Sequence, residues 1–342
     1  LDIYQKKTTD LLISRNLPGS AGFSSTYYNQ GSLNNKGVEF SLNAQIIDSS
    51  SWKWSVSGNI GVNRNEISDL GLLPADFGCL GERVGYYGNS LGDHFGVGHI
   101  FLAGEAPGLF YGYVTQGIVQ KEDITENGIK YIKQDGSVGY YQTVNKTTPV
   151  AGDVKYVDRN GDGVVDDNDR DIIGNPNPDF TYGFQTKVSW KSLSLSASFN
   201  GVQGRDILNV GNRYNNTPGT KSNNVTRKAF QNMWTDENPS NLYPKSTFVV
   251  QNMVMDRYVE DGSYLRCSDI TLSYVLPAKW TNKIGIKNTS VYASVKNAFV
   301  ITDYSGYDPE VNSFAFDGLR PGVDMNSYPT PRSFVFGLNL TF

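Results

Sequence analysis

The sequence predicts an all-β protein of antiparallel, membrane-spanning strands, a transmembrane β-barrel wall with long loops, and three observations carry that expectation. The last eleven residues, 332–342, alternate without a break: Phe334, Phe336, Leu338, Leu340 and Phe342 are apolar, while Ser333, Val335, Gly337, Asn339 and Thr341 are mostly small or polar. The same alternation recurs upstream in segments of strand length. The connections between those segments are alternately short and long. Side chains two apart share a strand face, so such strands suit a wall with hydrocarbon on one side and water on the other.

The elements follow in order. A weak strand is expected over 2–14. Over 38–46, Val38, Phe40, Leu42, Ala44 and Ile46 alternate with Glu39, Ser41, Asn43 and Gln45. After a polar turn at 48–51, Trp52, Trp54, Val56, Ile60 and Val62 alternate with Lys53, Ser55, Ser57, Asn59 and Asn63. Weaker strands are expected near 94–103 and 109–120. Phe180, Tyr182, Phe184, Val188 and Trp190 alternate with Thr181, Gly183, Gln185, Lys187 and Ser189. A tight turn leads to Leu193, Leu195, Ala197 and Phe199, alternating with Ser194, Ser196, Ser198 and Asn200. Weak strands near 263–276 and 290–301 precede the terminal one, giving about ten in all.

Short connections fall at 48–51, 105–108, 191–192 and 277–287, and long ones at 16–33, 66–92, 121–179, 204–262 and 302–331. One rim of tight periplasmic turns and another of long extracellular loops would give that regularity, and the parity places Phe342 at the short-turn rim. Within one long loop, residues 224–234 have helical spacing with Asn224 as a cap.

Composition agrees. The 342 residues include 21 Tyr, 17 Phe, 5 Trp and 36 Gly, a mixture suited to strands, interface girdles and turns. Mean hydropathy is -0.40, and no stretch approaches the roughly 18 apolar residues of a membrane helix. Alternating strands average to such neutrality. Net charge is -4 without a dense Lys/Arg cluster, which excludes nucleic acid as the expected partner. Cys79 and Cys267 are too few for a disulfide framework; two unpaired residues are expected, one bridge being the alternative. No signal peptide precedes Leu1, so a processed chain or a fragment is expected.

The segment DRNGDGVVDDND at 158–169 has the spacing of a calcium loop. Asp158 stands at position one, Asn160 at three, Asp162 at five, Gly163 at six, Asp166 at nine and Asp169 at twelve, and Val164 at seven offers its backbone carbonyl. Calcium takes roughly six to eight hard oxygens, and Gly at six permits the sharp bend. Six carboxylates between 158 and 171 repel one another without a counter-ion. Asp in place of Glu at twelve shortens the reach to the ion. The flanks read as strand and extended chain, so a lone structural Ca2+ loop is expected; a metal-free solvent turn is the alternative.

No catalytic residues are expected. His94 and His99, the two histidines, are five apart on a strand pattern, which puts them on opposite faces. No phosphate-binding glycine loop, nucleophile elbow or Cys-x-x-Cys pair occurs. Asp308 and Glu310 pair two acids in a loop, a weak echo of glycosidase chemistry. Trp234, Tyr243, Tyr304, Tyr307, Phe314 and Phe316 could stack on a substrate or pack the loops onto one another.

Four stretches together resemble the C-terminal part of the SusC/RagA-like TonB-dependent outer-membrane transporters of Bacteroidetes: NNKGVEFSL (34–42), DGSYLRCSDITLSYVLP (261–277), VKNAFVITDYSGYDPE (295–310) and YPTPRSFVFGLNLTF (328–342). APGLFYGYVTQGI (106–118) is similar to a further family segment. The resemblance implies that residues 1–342 form the C-terminal portion of a plugged barrel of roughly 22 strands, with the plug, TonB box and N-terminal strands outside this chain. It implies nutrient import across the outer membrane of a Gram-negative cell, energised by TonB through the plug and working with a SusD-like surface lipoprotein. Oligosaccharide and oligopeptide both remain open as substrate. An unclosed sheet also leaves two edges that cannot stand in lipid, so the rest of the transporter would complete it. The alternatives are a self-contained ten-stranded barrel acting as adhesin or surface enzyme, and a soluble calcium-dependent binding module.

Overall fold

The structure is a computed structural model, and it describes residues 1–341 except 17–18, 24, 72–78, 81–82, 89, 92–94, 218–223, 247–252, 282–285 and 287. Its largest element is an antiparallel sheet of eight strands: β1 (Asp2–Thr9), β2 (Ser32–Asp48), β3 (Trp52–Asp69), β4 (Phe180–Trp190), β5 (Leu193–Gln203), β6 (Tyr264–Val275), β7 (Asn288–Thr302) and β8 (Ser333–Thr341). Each strand pairs with the next in this order, and among the described residues β1 and β8 do not pair with each other. The sheet is open.

β2 and β3 are 17 and 18 residues long, well beyond the roughly 9–11 residues that a tilted strand needs to cross a bilayer. They are therefore longer than a bilayer crossing requires. Residues 49–51, 191–192 and 276–287 join strands at one rim, and 10–31, 70–179, 204–263 and 303–332 join them at the other. Short and long connections alternate along the wall as expected, except that the turn expected at 105–108 lies inside the loop body and the expected long connections 66–92 and 121–179 are parts of one, 70–179. The two-residue turn after β4 places Lys191 in the left-handed region, at φ 52, and ties its N–H to Ser51 O. β8 runs toward this short-turn rim; Phe342 itself lies outside the described residues.

The long connections build a body of their own. His99–Leu102 and Leu109–Tyr113 join Arg83–Tyr87, Cys79–Leu80 and Arg170–Gly174 in a separate five-stranded sheet. Every residue of His99–Leu102 and of Leu109–Tyr113 is buried. The segments expected as wall strands near 94–103 and 109–120 are thus interior strands of the loop body. The wall has eight strands among the described residues, not about ten. The physical reason is in the residues: HIFL and LFYGY are apolar without alternation, which suits strands covered on both faces. They offer no polar row to a wet lumen.

The principal core also lies in the loop body, around Phe110, Tyr131, Tyr141, Tyr156, Leu208 and Met255. Its tyrosines bury their rings and keep a partner for the hydroxyl: Tyr131 donates to Asp158 O at 2.6 Å, and Tyr141 accepts from Tyr156 N–H. The helix expected over 224–234 is shorter, Arg227–Asn232, and its cap is Thr226, whose hydroxyl accepts from Ala229 N–H. Asn224 lies before it. No helix among the described residues is long and apolar enough to cross a membrane.

Candidate functional site

Strand register decides what each face of the wall carries. One row across the sheet reads Ile47, Trp54, Val188, Leu195, Leu272, Ala293 and Phe336; the next on that face reads Ala44, Val56, Thr186, Ala197, Ile270, Val295 and Phe334. On the other face the rows read Gln45, Ser55, Lys187, Ser196, Thr271, Ser294 and Val335, and Asn43, Ser57, Gln185, Ser198, Asp269, Lys296 and Ser333. The first face is therefore apolar and the second polar. Phe336 is 80% exposed and Phe334 67%, so the apolar face is not the floor of a protein core. Thr186 is the polar exception, and its hydroxyl accepts the Trp54 indole N–H at 3.0 Å. At the short-turn rim Trp52 and Trp190 pair with ring centroids 6.0 Å apart, the place for an interfacial girdle.

The polar face satisfies its charges locally. Asp269 accepts from the Thr271 and Ser294 hydroxyls and pairs with Lys296 Nζ at 2.7 Å. A bulge lies beside it: Ser198 pairs with Asp269, but Phe199 pairs with Cys267, leaving Ser268 as an extra residue in β6. The extra residue reverses the side-chain parity of β6. Ile270 and Leu272 share the apolar face with Cys267, while Arg266 and Tyr264 turn to the polar side. Arg266 there meets the last long loop. It bonds Asp308, and its Nε lies 3.1 Å from Glu310 Oε2 in an ion-pair contact without hydrogen-bond geometry.

Asp308 also accepts the N–H groups of Glu310 and Thr330, and Tyr264 donates to Glu310 Oε1 at 2.6 Å. Burial opposes ionisation of Asp308, but those two N–H donors and Arg266 outweigh it and hold the carboxyl below its ordinary value. The paired acids at 308 and 310 are thus a mooring of the loop to the wall, and nothing in their surroundings poises them as acid and base.

The acidic loop closes on itself. Asp158 accepts from Gly161 N–H at 2.6 Å and Gly163 N–H at 2.8 Å. Asn160 accepts from Asp162 N–H, Asp162 from Val164 N–H, and Asp166 from Asn168 N–H. Asp169, fully buried, accepts from the N–H groups of Arg159, Asn160 and Asp166, which joins position twelve to the start of the loop. Gly161 and Gly163 take left-handed φ of 77 and 87. Burial raises the Asp169 carboxyl above its ordinary value, three N–H donors oppose that, and the charge of Asp158 adds to it. Among the described residues no three His, Cys, Asp or Glu side chains converge as a metal cage. A carboxylate oxygen that accepts one N–H keeps a second lone pair, as at both Asp158 oxygens, whereas Asp169 Oδ1 accepts two N–H groups and has none to spare.

The remaining residues singled out in the sequence fall in several places. His99 is buried in the loop body and donates Nε2–H to Pro321 O at 2.9 Å; His94 lies outside the described residues. Cys267 is a free, buried thiol, and the Cys79 side chain lies outside the description. Trp234 is buried and donates to Gln120 Oε1, Tyr304 is buried and donates to Asp324, and Phe314 lies 3.8 Å from the Arg320 guanidinium. Trp234 N–H also bonds Tyr243 O. Tyr307 and Phe316 are exposed.

An open amphipathic sheet, apolar outside and polar inside, with tight turns at one rim and a folded loop body at the other, defines a segment of an outer-membrane-type barrel wall. Comparison with known proteins places it further. No protein-family profile matches the chain. It is 32% identical over 351 aligned positions to TonB-dependent receptor P26 of Formosa agariphila, covering 100% of this chain and 32% of that receptor. It is 32% identical over 352 positions to TonB-dependent receptor SusC of Bacteroides thetaiotaomicron, covering 100% of this chain and 30% of SusC. Among solved structures, the RagAB peptide transporter matches with TM-score 0.69 and 26% identity over 99% of this chain and 33% of that one. The RagAB peptide importer in its closed-closed state matches with TM-score 0.70 and 27% identity, again over 99% and 33%. Over its whole length the chain is similar to these SusC/RagA-like TonB-dependent receptors, and it spans about a third of the length of the relatives it matches. Those relatives are receptors and transporters, not enzymes.

Proposed function

We propose that the chain supplies wall strands, lumen lining and extracellular loops to a TonB-dependent importer of the outer membrane. The observation that carries this reading is the wall itself, whose Phe, Leu and Trp rows face away from the protein while the buried core sits in the loop body. An open sheet with two unpaired edges needs further strands in lipid; we place those strands, the plug and the TonB contact in the rest of the same receptor. A SusD-like surface lipoprotein would close the loop side, and the cargo would be an oligosaccharide or an oligopeptide. Transport needs binding and conformational change but no bond chemistry. Fractionation of cells producing the full-length receptor tests the reading: it should appear in the outer membrane, shift mobility on heating and copurify with a surface lipoprotein. A soluble, heat-insensitive product would refute it.

The acidic loop would hold Ca2+ through Asp158, Asn160, Asp162, Asp166 and Asp169 with the carbonyl of Val164. Its oxygen donors, two left-handed glycines and closure by Asp169 support that reading. The ion would neutralise the crowded carboxylates and stiffen an extracellular loop. Calorimetric titration of the full-length receptor with calcium should show saturable binding that Asp158→Asn weakens; no heat at millimolar calcium would refute it.

A further inference from the structure

We propose that the outer face of the wall holds one phospholipid of the periplasmic leaflet, with an acyl chain in a groove floored by Gly58 and its phosphate at Lys191. The proposal rests on the outer-membrane reading. The groove, about 400 Å3, crosses β2, β3 and β4 between Phe40, Leu42, Trp54, Ile60 and Phe184. Gly58 makes the floor because its cross-strand partners are Leu42 and Phe184, two large side chains flanking a position that has none. The Trp54 indole N–H bordering the groove is already donated to Thr186, so an apolar chain entering there strands no donor.

Nothing local requires glycine at this position. On the same face Gly201 is covered, since a Cβ there would stand 2.4 Å from the Tyr182 ring. At Gly58 a Cβ would meet Gly183 O at 3.5 Å and Phe184 Cδ2 at 4.0 Å, both ordinary contacts, and the backbone is not left-handed. A glycine inside a strand weakens it and marks a bulge, a tight bend of a barrel wall or the close approach of another molecule; the register runs without a bulge through Gly58. The dimensions fit one leaflet: Trp54 to Ile60 spans about 20 Å of strand, or about 15 Å of depth at a tilt near 40°, half the hydrocarbon core.

The rim supplies the head-group contact. Trp52 and Trp190 stand two residues nearer the short-turn rim than Trp54 and Val188, and Lys191 Nζ lies 5.2 Å from the Trp190 ring centroid. Lys53 at that rim is engaged by Asp48 at 3.7 Å, so Lys191 is the cation offered to a phosphate. The short-turn rim is the periplasmic one, which selects a glycerophospholipid as the occupant.

The test uses the full-length receptor in nanodiscs of palmitoyl-oleoyl phosphatidylethanolamine and phosphatidylglycerol, transferred to mild detergent for native mass spectrometry. The wild type should retain one phospholipid more than Gly58→Leu, whose side chain fills the groove without crowding the backbone. Lys191→Glu should lower retention at limiting lipid about fivefold, the scale of one lysine at an anionic surface. Equal retention by all three proteins overturns the proposal. If Gly58→Leu does not assemble, Lys191→Glu, in an exposed turn, decides alone. A wild-type receptor that never enters the outer membrane would instead refute the outer-membrane reading.

Discussion

The wall and the loop body are both β-structure, yet they keep their apolar side chains in opposite places. In the wall, Leu195, Leu272, Phe334 and Phe336 are exposed, while Ser196, Thr271 and Ser294 share the other face. In the loop body, Ile100, Phe110, Tyr131 and Tyr141 have essentially no exposed surface. The loop body folds by removing apolar surface from water and giving each buried hydroxyl a partner. The wall also partners its hydroxyls, at Thr271, Ser294 and Thr186, but it leaves its apolar rows outside, an arrangement suited to a second solvent of hydrocarbon with the backbone groups paired between strands. The two regions should therefore fail under different insults.

The largest effect is expected where they are moored together. Arg266→Ala would leave Asp308 buried without its cation, at a cost of about 3–5 kcal/mol. Residues 303–332 should become protease-sensitive while the heat-modifiable barrel persists. Loss of the barrel as well would show that the wall depends on the loop body.

On the wall, Phe199→Arg, on the apolar face in the row of Gly58 and Phe184, should cost about 2–4 kcal/mol toward the membrane midplane and reduce assembled receptor in the outer membrane. Ser198→Arg, one residue before it and facing the lumen, should be tolerated. Equal damage from both would erase the distinction between the faces.

Acid should loosen the loop body first. Burial pushes the His99 imidazole down to about 4, against the carbonyl of Pro321, which favours the charged form. Its unfolded value is near 6.5, so its stability contribution is present above that value and is lost as pH falls toward 4. By pH 5 the loss is about 2 kcal/mol. Hydrogen exchange around His99 and Pro321 should rise between pH 7 and 5, and His99→Gln should flatten that dependence with the wall unchanged.

Calcium should have the smallest effect. At ten times its Kd it would add about 1.4 kcal/mol. Chelation should speed amide exchange over 158–169 only, and acid should weaken binding because the raised Asp169 carboxyl takes up a proton readily.

How much could be read from the residues follows the same divide. The wall strands are legible because one buried-or-lipid side chain every second residue is a local signal, strong in 38–46 and 193–200. The turn rims follow from connection lengths alone. Leu109–Tyr113 carried no such signal: a short apolar run fits a wall, a sandwich or an interior sheet equally well, and only long-range packing placed it in the loop body. The bulge at Ser268 is likewise silent, since LRCSDITL reads as a strand whose phase changes only when β5 and β7 are alongside. The Arg266–Asp308 contact joins residues 42 apart, beyond any spacing rule. The acidic loop was visible as a motif, but the role of Asp169 as an acceptor for three backbone N–H groups needed the fold.

Site-directed spin labelling along β5 in the full-length receptor, reconstituted in bilayers, probes the two-faced wall most directly. Labels at Leu195 and Ala197 should collide with dissolved oxygen, and labels at Ser194, Ser196 and Ser198 with an aqueous nickel chelate, in strict alternation. Uniform access to either quencher, or the opposite phase, would contradict a wall with hydrocarbon outside and water within.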